Sequence, residues 1–235
     1  MIFKYFLCLS LFCFLLSCNT RKEENNNEST TLTTTKNLLY AKRFKISHQA
    51  DYTIVDIFGN KDDAKKTAQF VLYKTIKPTV NTDAYYIKVP VKKVACMSSI
   101  YAAMLDKLNE TQSIVAIDNV DYFSNSWVIK NVTENKIIEL SKGPAIEVEK
   151  TIALNPDVIF TFGMGNPKQD MDQKIIQADI PVAISLDHLE ETPLARAEWI
   201  KFFACFYDKE QVADSLFLSI EKNYNELKNK VINQK

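Results

Sequence analysis

Residues 141–167 read SKGPAIEVEKTIALNPDVIFTFGMGNP, and the reading of this stretch decides the fold. Ala145, Val148 and Ile152 recur at helical spacing with Glu147, Glu149 and Lys150 between them, which predicts a short amphipathic helix. Asn155-Pro156 ends it. Val158-Ile159-Phe160-Thr161-Phe162 is then a near-continuous apolar run of strand length, rich in β-branched and aromatic residues. Such a run predicts a strand covered on both faces, as in a parallel sheet. Gly163-Met164-Gly165 follows it. Glycines just past the carboxyl end of a buried parallel strand let the chain turn sharply, and open α/β sheets bind ligands beyond those ends. The same glycines also suit a plain turn, so both readings stand.

Working outward, strand and helix alternate. Residues 91–97 predict a strand and Ser98-Ser99 a helix cap; residues 100–108 predict a helix with Ala103, Met104 and Leu108 on its buried side. Residues 113–117 predict the next strand, ending at Asp118-Asn119, before a polar stretch that carries Tyr122, Phe123 and Trp127. Residues 174–178 and 181–186 supply another helix and strand. The alternation predicts an α/β domain, a parallel sheet with flanking helices. Upstream, residues 38–93 hold strand-length runs separated by turn signals and predict an antiparallel β section. Downstream, Thr192-Pro193 opens a helix whose apolar face carries Trp199, Phe202, Phe203 and Phe206. Asp208 with Gln211 resembles a capping box. It leads into a long α-helix over 208–235 with a stripe of Val212, Leu216, Ile220, Tyr224, Leu227 and Val231.

The start of the chain carries an address. Lys4 precedes an apolar core from Tyr5 to Leu16, the length of a signal-peptide core and short for a bilayer span. Leu15-Leu16-Ser17-Cys18 resembles the bacterial lipobox, so residues 1–18 read as a lipoprotein signal peptide and Cys18 as the lipidated, palmitate-bearing residue. Residues 19–37, rich in Asn, Thr, Ser, Glu and Lys, read as a disordered tether. Lysine plus arginine and aspartate plus glutamate each number 29, with no basic stripe, which argues against nucleic acid as a partner. Beyond the signal, Cys96 and Cys205 remain; an oxidising compartment would allow them to pair, while their apolar settings suit free thiols acting as small hydrophobes.

VPVKKVACMSSIYAAMLDKL, SIVAIDN, EVEKTIALNPDVIFTFGMG and PLARAEWIKFFACFY, in that order behind a lipobox, resemble the substrate-binding lipoproteins of ABC importers for ferric siderophores, haem and cobalamin. The resemblance implies one lobe of a two-lobe binding protein over 38–207, with its β section at 38–93 and α/β section at 91–207. Residues 208–235 correspond to the inter-lobe connecting helix, and a second lobe is not expected within the chain. It implies a metal-chelate or corrinoid ligand held by the loops after the parallel strands: Ser98, Ser99 and Tyr101; Asp118 and Tyr122; Lys142 and Gly143; Gly163, Met164 and Gly165; Asp187 and His188. Aromatic rings suit a large, partly apolar chelate, and serines at a helix start suit an anionic group. Each position has a plainer reading: Tyr101 as core, Ser98 and Ser99 as caps, Lys142 as a solvated lysine. Glu147 and Glu149 are the positions that would dock acidic side chains on an ABC permease, or else they belong to an ordinary solvated helix face. Any iron or cobalt belongs to the ligand. No cofactor is expected, and His188 has no second ligand at metal-site spacing.

Three functions compete. The first is a lipid-anchored periplasmic binding protein; the second is a one-lobed partner protein without a transport role of its own. The third is an enzyme on the same sheet, for which no nucleophile elbow, Walker loop, dinucleotide glycine fingerprint or histidine pair is present. We read the chain as no enzyme. The address itself is testable: Cys18→Ala should abolish metabolic lipid labelling and release the protein from membranes. Intact labelling with unchanged fractionation would defeat the lipobox reading.

Overall fold

The computed structural model describes residues 34–59, 66–80, 83–142, 145–164 and 170–232, with Lys142 and Ala145 described in backbone only. The signal peptide with Cys18, most of the tether, and Gly143 and Gly165 lie outside the described residues.

Two five-stranded sheets make up the described fold. The first holds β1 (Thr34–Lys36), β2 (Phe44–His48), β3 (Tyr52–Phe58), β4 (Lys66–Tyr73) and β5 (Tyr85–Lys88), side by side in chain order. Its first four strands pair antiparallel, with Phe44 opposite Ile57 and Ile46 opposite Val55, all four buried. β5 runs parallel to β4, Tyr85 opposite Phe70, which corrects the expectation that 38–93 is antiparallel throughout. A parallel neighbour needs a long connection, and residues 74–84 supply it.

The second sheet is parallel in every pairing: β6 (Val94–Cys96), β7 (Ile114–Ile117), β8 (Ile138–Glu139), β11 (Val158–Phe162) and β12 (Val182–Ser185). Their spatial order is β12-β11-β6-β7-β8. The chain therefore winds from β6 through β7 to β8, then returns to the other side of β6 for β11 and β12. A short antiparallel pair, β9 (Ser141–Lys142) with β10 (Ala145–Ile146), precedes β11. The helix expected from Ala145 thus starts only at Val148, as α3 (Val148–Leu154) below, because Ala145 and Ile146 are committed to that pair. Its buried residue is Thr151, with Ile152 37% exposed, so the apolar face read from Ala145, Val148 and Ile152 is corrected as well.

The helices are α1 (Ser99–Lys107), α2 (Ser126–Thr133), α3, α4 (Gln173–Gln177), α5 (Pro193–Glu198), α6 (Ile200–Cys205) and α7 (Glu210–Ile232). α1 buries Tyr101, Ala102 and Leu105, with Leu108 buried just past its end and Met104 packed against the core as expected, while Ala103 is exposed, which corrects its place on the buried side. Thr192 caps α5 by accepting from the Ala195 N–H at 3.1 Å, with Pro193 at its first position. The chain breaks at Trp199 between α5 and α6, so the single expected helix is two.

The aromatic residues of this helix pair join the sheets. The Phe202 ring lies 5.9 Å from Phe44 and 6.3 Å from Phe70 of the first sheet. Phe203 and Phe206 lie 5.0 and 5.1 Å from Phe160 of the second. All are buried, in edge-to-face arrangements that suit aromatic quadrupoles.

Two buried carboxylates complete the join. Glu198, fully buried, accepts the main-chain N–H of Leu39, Tyr40 and Ala41 at 2.8–3.0 Å and the Lys201 ammonium at 2.8 Å. Glu190 accepts the N–H of Lys42 and Arg43 and the Trp199 indole at 3.0–3.2 Å. Burial by itself would push the Glu198 carboxyl up, but Lys201 and the three amides outweigh it and hold the group below its ordinary 4.5.

Cys96 and Cys205 are both buried free thiols, so the disulfide is not formed; burial pushes the Cys96 thiol up to about 12.

α7 buries side chains along its first half. Ala213 and Phe217 are its buried residues; Asp214 pairs with Lys36 at 2.6 Å and Tyr40 donates to Glu221. Of the stripe read from the sequence, Leu216 packs against the core and the rest does not. Val212, Ile220, Tyr224, Leu227 and Val231 are 38–62% exposed. Asp208 does not act as the expected cap: it takes a left-handed backbone, φ 57°, and its carboxylate pairs with Lys74 at 2.6 Å.

Two outcomes are expected. Glu198 contributes its full stability above about pH 4.5, where it is charged folded and unfolded, and that contribution is lost as pH falls through its depressed folded value. Glu198→Gln should remove this acid dependence and cost up to about 3–5 kcal/mol in denaturant titrations, by leaving buried Lys201 with Asp214, at 3.6 Å, as its remaining carboxylate partner. A pH profile unchanged by the substitution would refute the assignment. In α7, amide exchange should be slow around Ala213–Phe217 and rise steadily from Tyr224 toward Ile232; uniform protection to Ile232 would show a partner covering the stripe.

Candidate functional site

Because all five strands of the second sheet run the same way, their carboxyl ends share one edge. The winding reverses between β6 and β11, which places the crevice of the fold at the exits of those two strands. From β12 across to β8, the edge carries Asp187 and His188, then Gly163 and Met164, then Ser98 and Ser99, then Asp118 to Tyr122, then Lys142. The described site positions read from the sequence therefore fall on one rim. What separates them is the direction in which their side chains turn.

Several turn outward. Tyr122 and Met164 are each 67% exposed, and His188 is exposed with its ring edge-on to Phe162 at 6.4 Å. Phe162, the last residue of β11, is 58% exposed, and Ile100, in the first turn of α1, 55%. Neither Phe162 nor Ile100 is among the site residues read from the sequence. For Phe162 the available signal was its place as the last strand residue before the glycine loop; Ile100 had none, since an apolar residue in a first turn reads as core.

Tyr101 and Asp187 turn inward, which corrects their reading as ligand contacts. Tyr101 is 2% exposed: its ring packs on Phe203 at 5.1 Å and its hydroxyl donates to Asp187 at 3.3 Å. Burial, with the nearby Asp187 charge, pushes the phenol far up and keeps it a neutral donor. Asp187 is 6% exposed and also accepts from Ser185 Oγ at 2.7 Å. Tyr101, Asp187 and Ser185 thus tie the exit of β12 to α1 from beneath. Ser98 is the α1 cap, its Oγ accepting from the Ile100 N–H at 3.3 Å; Ser99 is half-buried in the first turn.

Local bonding shapes the outward loops. A Cβ at Gly163 would fall 2.6 Å from Asp170 Cγ, so the position has no room for a side chain while Asp170 Oδ2 accepts the Met164 N–H at 2.9 Å. After β7, Asn119 accepts from Asp121 and Glu139 from Val120, while Phe123 is buried. That tight turn leaves Tyr122 out in solvent. Asp118 is half-buried and its carbonyl accepts the Ser141 N–H at 3.3 Å, joining the exits of β7 and β8. The side chain of Lys142 is outside the described residues.

The two glutamates beside β11 differ. Glu149 is 82% exposed and pairs with Lys174 at 3.2 Å; its own N–H first, then Lys174, holds its carboxyl below the ordinary range. Glu147 is largely covered and pairs with Lys150 at 2.6 Å. Among the described residues no three of His, Cys, Asp and Glu converge on a metal-sized site. A cavity of about 620 Å³ lies off the rim, between the turn at Gln49–Asp51 and the start of α7. Its lysines are already bound in ion pairs, Lys36 with Asp214 and Lys74 with Asp208. The rim is an open, aromatic surface with the chemistry of a binding face; the cavity is a charged cleft away from the strand exits.

The chain is 31% identical over 156 residues to the uncharacterized lipoprotein MJ0878 of Methanocaldococcus jannaschii, covering 63% of this chain and 37% of that protein. It is 27% identical over 205 residues to the uncharacterized lipoprotein MJ0872 of the same organism, covering 83% of this chain and 50% of that one. The chain thus spans half or less of the curated relatives it matches. Among solved structures, the periplasmic heme-binding protein HutB of Vibrio cholerae aligns with a TM-score of 0.46 at 18% identity, over 59% of this chain and 49% of HutB. The sequence pattern of the periplasmic binding proteins matches residues 94–235, the span that holds the parallel sheet, its rim and α7, and the chain belongs to that family.

Proposed function

We propose that the chain is the ligand-recognising lobe of a substrate-binding lipoprotein that delivers a metal chelate, a ferric siderophore or haem, or else a corrinoid, to an ABC permease. The protein works outside the cytoplasm, anchored at a membrane through lipidated Cys18. One observation carries the reading: Tyr122, Phe162, Met164 and Ile100 stand more than half exposed on the rim where an open α/β sheet binds ligands. An apolar, aromatic surface there suits a bulky chelate whose metal is already fully coordinated, so the protein needs no metal ligands of its own. His188 offers a polar contact beside Phe162. Glu149, exposed on the first turn of α3, and Glu147 beside it are the acidic positions proposed to meet the permease.

A ligand on one open rim is contacted from one side, while the cost of its lost freedom is met in full. The described lobe, tested by itself, is therefore expected to bind ferric siderophores, haem or cobalamin weakly, in the high micromolar range by order of magnitude. Tyr122→Ala and Met164→Ala should weaken that binding further, by roughly 1 kcal/mol or more each, the loss expected for a contact that matters. Calorimetric or fluorescence titration against the chelate panel decides it. Binding unaffected by both substitutions would remove the rim from the site, and turnover of a panel member would favour the enzyme reading.

A further inference from the structure

Arg43 lies just before β2, in the first sheet, and is absent from every strand exit, yet its contacts lead to the rim. Its Nε donates to the Leu189 carbonyl at 3.2 Å, and its Nη1 donates to the Gly59 carbonyl at 2.7 Å. Leu189 follows His188 in the short turn after β12. Gly59 follows β3, and its backbone packs directly against the glycine loop: a Cβ built there would lie 3.4 Å from the Met164 carbonyl oxygen and 2.9 Å from Thr67. One side chain therefore bridges the backbones behind His188 and behind Met164. The base of the arginine is held in turn, since its own N–H donates to buried Glu190 at 3.1 Å.

We infer that Arg43 is a positioning residue for the ligand-facing rim, setting the separation of the His188 turn and the Met164 loop without touching the ligand. The inference rests on the rim being the binding face. A guanidinium suits the task because it is planar and presents its donors in a fixed fork, so two carbonyls bound by it are held at one spacing and angle. Lysine offers a single nitrogen on a flexible stem and cannot impose the same geometry. Gly59 is the matching requirement on the other side, because a Cβ there would fall 2.9 Å from the Thr67 methyl while already in contact with the Met164 carbonyl.

The chain contains two histidines, His48 and His188, so its imidazole NMR signals are a two-line report that requires no ligand. His188 sits edge-on to the Phe162 ring, whose ring current makes its signal sensitive to the turn's position. With signals assigned by His48→Gln and His188→Gln, Arg43→Ala should shift the His188 resonance and the Met164 methyl resonance and leave His48 in place. Arg43→Lys should give a smaller shift in the same direction, and it serves as the folded comparison if the alanine variant does not fold. Where a panel ligand binds, either variant should weaken it by roughly twofold to thirtyfold, the usual span for residues acting through their neighbours. A folded variant whose His188 and Met164 signals coincide with those of the parent overturns the inference. Absence of any panel binding by the parent bears on the functional reading alone, and the resonance test stands apart from it.

Discussion

The fold depends on two carboxylates placed where water cannot reach them. Each main-chain N–H from Leu39 to Arg43 is taken by Glu198 or Glu190. That segment lies outside any strand or helix, so its amides have no ladder partners, and buried amides left unpaired are costly. The glutamates have the complementary problem. A buried carboxylate is tolerated only with its lone pairs filled, and here five amides, the Lys201 ammonium and the Trp199 indole fill them. Neither side is stable without the other, and the chain entering β2 is thereby locked to the helix pair α5 and α6.

That lock determines where the aromatic residues go. With Glu198 fixed, the next turns of the helix pair present Phe202 toward the first sheet, Phe203 toward the second and Phe206 toward both. The first sheet then becomes a buttress for the α/β domain. It abuts the parallel sheet near the exits of β11 and β12, where Arg43 and Gly59 meet Leu189 and Met164.

The rim shows a division of labour among residues that look alike in sequence. Tyr101 and Tyr122 each follow a parallel strand by a few residues, yet one is buried on Phe203 and the other stands in solvent. The difference is local: Tyr101 falls on the inward side of α1, while Tyr122 falls in a tight turn whose next residue, Phe123, takes the core position. Asp187 and His188 split in the same way, one bonded beneath the rim and the other above it. A surface that keeps Phe162 and Met164 wet forgoes the burial that would stabilise it, which is the usual mark of a binding face.

The amino-acid sequence by itself determined the two-part β and α/β order, the strand at Val158–Phe162, the caps at Ser98 and Thr192, and the clustering of candidate residues after strands. These are local facts, since periodicity, β-branching and cap chemistry act within a few residues. Tertiary structure alone decided the rest. Whether β5 pairs parallel to β4, and whether Ala145 begins a helix or pairs with Lys142, depends on partners distant along the chain or across a turn. The stripe on α7 shows the limit most plainly. Val212, Ile220 and Leu227 have the right spacing to face a core, but Phe217 is the residue that meets Tyr40 and Lys201, with Ala213 buried one turn before it, so the stripe apart from Leu216 stays outside. Nothing in the sequence around Glu190 and Glu198 marks them as buried. Their role exists only because the fold delivers five amides to them, and no pattern in their neighbourhood encodes the arrival of a segment nearly 150 residues away or more.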